Sequence, residues 1–66
     1  MDRTIGDALE SARSRLSKFP TAASDAEELV SRLLGVGRGE LHLRRRDPLP
    51  PGLWQRLDVW LAQRAA

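Results

Sequence analysis

Few residues in this chain have the type and spacing to perform chemistry, and the most prominent are arginines. Arg44-Arg45-Arg46 is the one run of like charge, and Arg38 precedes it closely. A guanidinium carries a planar fork of donors that matches carboxylate or phosphate. The plainer reading is that these side chains form a solvated face and complement the negative C-terminal end of a short helix. Arg38, Arg44, Arg45 and Arg46 are therefore the candidate residues for docking a partner, and they have no role in a reaction. His42 is the single histidine and there is no cysteine. No nucleophile–base pair can be assembled, and one imidazole does not make a zinc site. His42 reads as a solvated or half-buried side chain. Asp25, Glu27 and Glu28 read as carboxylates at the positive end of a helix rather than as metal ligands, which would have to converge in larger number. Gly35, Gly37 and Gly39 alternate, but no strand precedes them, as a phosphate cradle requires. Trp54 and Trp60 fall in an apolar stripe and read as packing residues, not as a platform for stacking bases. The expectation is a chain with no catalytic, cofactor-binding or metal-binding residue of its own.

The elements that position these residues are helical. Thr4 with Asp7 three residues on is close to a capping box, and the helix it opens should run from residue 5 to 18. Ile5, Ala8, Leu9, Ala12, Leu16 and Phe19 recur at helical spacing, and Pro20 forces the end. Ala26, Leu29, Val30, Leu33 and Leu34 mark a second helix. Its start is open between Thr21 and a Ser24–Glu27 capping box, and Gly35 suits its C-terminal turn. A short helix from Glu40 to Arg45 turns Leu41 inward, and Leu43, two positions on, cannot share that face. Asp47 to Gly52 reads as a stiff connector because of its prolines. Pro51 then fits the first turn of a last helix reaching Arg64, with Leu53, Leu57, Trp60 and Leu61 as its stripe. The expected fold class is all-α: a small bundle of three main helices and one short one, with no strand. Leu9, Leu16, Leu29, Leu33, Leu57 and Trp60 are the expected core.

Sixty-six residues allow one domain, residues 1–66. A chain this small supplies roughly 3–5 kcal/mol of stability from its core. The net charge of +2 is too small to imply nucleic acid by itself. The start of the chain is acidic where a signal peptide needs a basic start and an apolar run, and no apolar run is long enough to span a membrane. With the lack of cysteine, this points to the cytoplasm. The last helix ends in Gln63-Arg64-Ala65-Ala66 without a glycine or proline stop, so further chain is expected beyond it.

The order of features is similar to that of a known domain. Asp25-Ala26-Glu27 followed by Leu33-Leu34-Gly35 resembles a characteristic helix of the HemK/PrmC family N-terminal domain. The turn and short helix of Gly37-Arg38-Gly39-Glu40-Leu41, the proline-containing linker and the helix ending in Leu61-Ala62-Gln63-Arg64 continue the likeness over nearly the whole chain. The resemblance implies the non-catalytic N-terminal part of an S-adenosylmethionine-dependent enzyme. That enzyme methylates the glutamine of the GGQ motif in peptide-chain release factors. The domain would help bind the release factor, with the methyltransferase domain following in the same chain. The family's glycine-rich cofactor loop and Asn-Pro-Pro-Tyr motif have no counterpart here; Asp47-Pro48-Leu49-Pro50-Pro51 is a different sequence. No catalytic or cofactor residue carries over, and S-adenosylmethionine belongs to the inferred parent enzyme alone.

Two other classes remain open on the residues themselves. One is a DNA-binding helix-turn-helix with Ser31, Gly35 and Leu41 at its small, turn and core positions. Its recognition helix would open on Gly37-Arg38-Gly39, which lacks the side chains to read bases, so no sequence-specific nucleic acid binding is expected. The other is a general protein-interaction bundle.

Overall fold

Thr4 opens the first helix with a reciprocal cap. Its hydroxyl accepts from the Asp7 N–H at 3.1 Å, and the Asp7 carboxylate accepts from the Thr4 N–H at 2.9 Å. The computed structural model describes residues 3–65. Four helices make up the fold: α1 Ile5–Arg15, α2 Ala22–Leu34, α3 Arg38–Leu43 and α4 Pro51–Ala65. Among the described residues there is no strand. A single antiparallel bridge joins Thr4 to Pro48.

The end of α1 and both ends of α3 differ from the sequence expectation, and the start of α2 follows one of its two alternatives. α1 stops at Arg15, not at residue 18, because the chain tightens after it. The Ser17 N–H bonds the Ser14 carbonyl and the Phe19 N–H bonds the Leu16 carbonyl, and this turn brings Phe19 back against the core before Pro20. α2 begins at Ala22 with Thr21 in the cap position. The Thr21 hydroxyl donates to the Asp25 carboxylate at 3.0 Å instead of capping the backbone. Ser24 lies inside the first turn, so the Ser24–Glu27 box does not form, and only Asp25 stands near the positive end of the helix. α3 starts at Arg38 and ends at Leu43, two residues earlier than expected at each end. Extended Gly37 leads into it, and the Leu41 N–H already bonds the Gly37 carbonyl. Gly35 closes α2 with φ 71°, the left-handed conformation that glycine adopts without steric cost.

The core seam runs through Ala8 and Ala12 of α1 and Leu16 that caps it, Ala26, Val30 and Leu33 of α2, Leu41 of α3, and Leu57 and Leu61 of α4. Leu16, Leu33 and Leu57 are buried as expected. Leu9, Leu29 and Trp60 are only half-buried against this core. Each lies one position along its helix from a residue that took the inner face: Ala8, Val30 and Leu61. The small side chains of Ala8, Ala12 and Ala26 let α1 and α2 approach closely, which leaves the larger neighbours on the flanks.

The connector between α3 and α4 is part of the core and part of a cap. Leu49 is 3% exposed, although the sequence marked this stretch only as a spacer. Its N–H bonds the Arg3 carbonyl at 2.8 Å. The Ile5 N–H bonds the Asp47 carbonyl at 2.9 Å and the Gly6 N–H bonds the Arg45 carbonyl at 2.7 Å. These amides open α1, where no intrahelical acceptor exists, so the connector supplies the acceptors. The arrangement needs glycine at position 6, because a Cβ there would meet the Arg45 carbonyl oxygen at 3.1 Å. That oxygen accepts the Gly6 N–H itself, so withdrawing from a Cβ would stretch the bond that caps the helix. Gly6→Ala should therefore destabilise the fold by about 1 kcal/mol, the scale of mild overpacking, despite the better helix propensity of alanine. A denaturant midpoint measured for both proteins checks this; a stabilised variant would mean the connector yields freely.

Candidate docking surface

Most exposed charge in this fold is neutralised locally. Glu10 pairs with Arg13, Glu28 with Arg32 and Glu40 with Arg44 along single helices, at 3.4, 2.9 and 2.8 Å. Three further pairs tie elements together. Arg15 of α1 meets Asp58 of α4 at 2.8 Å, Arg64 of α4 meets Asp25 of α2 at 3.2 Å, and His42 of α3 meets Glu27 of α2 at 2.7 Å. Exposed pairs of this kind contribute about 0–1 kcal/mol each, so they orient the helices more than they hold them. The Arg3 guanidinium lies over the Trp54 ring, 4.7 Å from its centroid.

Against this background the four candidate arginines separate. Arg44 is engaged with Glu40. Arg38, Arg45 and Arg46 are exposed, and among the described residues none has a carboxylate within ion-pair distance. With His42 neutral, residues 38–47 hold four arginines against Glu40 and Asp47, a local charge of +2, equal to that of the whole chain. Three of the unpaired guanidiniums lie on α3 and the turn after it; Arg56 of α4 is exposed and likewise without a carboxylate partner among the described residues. The turn keeps helical character: the Arg44 N–H bonds the Glu40 carbonyl and the Asp47 N–H bonds the Arg44 carbonyl.

The same corner carries an apolar residue that the sequence placed off the inner face without giving it a role. Leu43 is 87% exposed, while Leu41, on the opposite side of α3, is fully buried. Beside the corner lies a shallow groove of about 140 Å³ whose lining includes Leu9, Ala26, the carboxylates Glu10 and Glu27, and Arg13, His42 and Arg45. Arg13 had no place in the sequence reading, because only the tertiary fold brings it to the same groove as Arg45. A second groove, of about 360 Å³, lies between α2 and α4 and is lined by Leu29, Trp60, Arg32 and Arg64; both of its arginines are already paired.

The remaining sequence candidates take structural positions. Trp54 and Trp60 are half-buried against the core. Asp25, Glu27 and Glu28 point to three different partners: Arg64, His42 and Arg32. The three alternating glycines span the end of α2 and the start of α3. No helix among the described residues is long and apolar enough to cross a membrane.

Comparison with known families gives one result: the model of the family described as the PrmC N-terminal domain matches residues 7–66. No curated protein and no solved structure matches the chain.

Proposed function

The chain belongs to the PrmC N-terminal domain family, and from that membership we propose that it is the substrate-docking domain of a larger methyltransferase. The reaction of that enzyme is transfer of a methyl group from S-adenosylmethionine to the glutamine of the GGQ motif in a peptide-chain release factor, a cytoplasmic event in translation termination. Residues 1–66 form the helical N-terminal domain, and the methyltransferase domain follows it in the parent chain. The observation that carries this reading is the extent of the family match, which runs from the first turn of α1 through α2, α3 and α4.

The residues here do not fit S-adenosylmethionine. Cofactor folds of this kind place a glycine-rich turn between a strand and a helix, whereas Gly35, Gly37 and Gly39 lie between α2 and α3. No step of methyl transfer is assigned to this chain. Its contribution is to hold the release factor while the neighbouring domain acts, and positioning of that kind lowers a barrier by fixing geometry.

The helix-turn-helix alternative gains nothing from α3. Six residues make a helix about 9 Å long, and His42, which would face a base edge, is tied to Glu27.

A direct test titrates the isotope-labelled chain with an intact release factor and follows its amide signals. Docking should move the signals of one contiguous patch. A titration that moves none, with the release factor folded and in excess, contradicts the proposal.

A further inference from the structure

We propose that the α3 corner, formed by Arg38, Leu43, Arg45 and Arg46, docks an acidic protein segment that carries an apolar residue for Leu43. This rests on the release-factor reading and deepens it: the segment belongs to the substrate protein.

Three observations lead to it. First, charge: five carboxylates are each tied to an arginine within the fold and a sixth, Glu27, to His42, yet Arg38, Arg45 and Arg46 have no carboxylate partner among the described residues. Unpaired guanidiniums on one corner attract carboxylates, and complementary charge steers the encounter and fixes its register. Arg45 has the added advantage of a fixed backbone, because its carbonyl receives the Gly6 N–H.

Second, Leu43. A helix of six residues holds one leucine wholly inside and the other 87% exposed. Among the described residues the other large exposed apolar side chain is Val59, at 54%, and it lies on α4. An exposed leucine within a segment rich in unpaired arginine suits a protein contact, which combines a desolvated apolar centre with charged surroundings.

Third, the chemistry discriminates against nucleic acid. Single strands are held by exposed aromatic rings alternating with cations. The two tryptophans here are half-buried on α4 and neither belongs to the corner. Leu43 offers a phosphate backbone nothing.

Four probes and two variants test this. The probes are an intact release factor, a blocked synthetic peptide of glutamates with leucines, the same peptide with serine in place of leucine, and a single-stranded RNA oligonucleotide. The variants are Leu43→Ser and the double substitution Arg45→Glu, Arg46→Glu. Both alter exposed side chains, and circular dichroism verifies their fold. We expect the leucine-containing peptide to shift the signals of residues 38–46 and to bind more tightly than the serine version. Each variant should weaken binding of that peptide and of the release factor by about tenfold or more, and the loss on charge reversal should shrink as salt rises. Release-factor binding that is unchanged by both variants overturns the corner and leaves the docking reading standing. If the release factor does not bind the unaltered chain at all, the docking reading itself falls. RNA binding that matches the peptide and ignores Leu43→Ser would make the corner a phosphate site and overturn the proposal.

Discussion

Replacing Leu57 by alanine should leave much of the chain unfolded at ambient temperature. Leu57 is fully buried at the middle of α4, among the largest side chains the fold encloses completely. Truncating such a leucine costs about 2–5 kcal/mol, the lost transfer energy plus the cavity left behind. A domain of this size, without disulfide or metal, has roughly 3–5 kcal/mol in total. The loss is therefore comparable to the whole stability. Thermal melting should fall by at least about 10 °C, since a domain this small shifts about 4–8 °C for each kcal/mol. Leu43→Ala is the matched control. Leu43 is 87% exposed, and surface changes of this type stay within about 0.5 kcal/mol. Similar melting of both variants would mean that the seam through Ala8, Val30, Leu57 and Leu61 is not the core.

Features governed by neighbours in sequence were legible before the fold was known. The Thr4–Asp7 box, the left-handed Gly35 and the entry of α4 at Pro51 each depend on a few adjacent residues. So does the inward turn of Leu41 and the outward turn of Leu43, which follow from a two-residue offset on a helix. What was not legible depended on distant packing. The apolar stripe of α1 includes both Ala8 and Leu9, and which of them faces inward is decided by how closely α2 approaches. The role of the α3–α4 connector was hidden because its work is done by carbonyls, which are alike in every residue. Leu49, flanked by prolines, gave no periodic pattern to read.

The candidate surface was partly legible too. The arginine run was visible, but the sequence treated its members alike. The Glu40–Arg44 spacing is a helical i, i+4 pair, so the engagement of Arg44 was available as a signal. That Arg38, Arg45 and Arg46 stay unpaired was not, because it requires knowing that Glu10 and Glu27 are occupied by Arg13 and His42.

The largest functional effect should come from removing residues 1–66 from the parent methyltransferase. A docking domain contributes contacts that exist before and during the chemical step, so its loss mainly weakens uniform binding and raises KM. kcat falls as well to the extent that docking aligns the glutamine, since small misplacements are costly. The comparison uses two substrates: an intact release factor, and a short peptide containing GGQ that is too small to reach a second domain.

The decisive measurement is kcat/KM for the parent enzyme with and without residues 1–66 on both substrates. The predicted result is a loss on the intact release factor at least about tenfold greater than the loss on the peptide, a difference of about 1.4 kcal/mol in transition-state binding. Equal losses on both substrates, with the truncated enzyme still folded, would contradict a docking role and leave this helical domain contributing to stability alone.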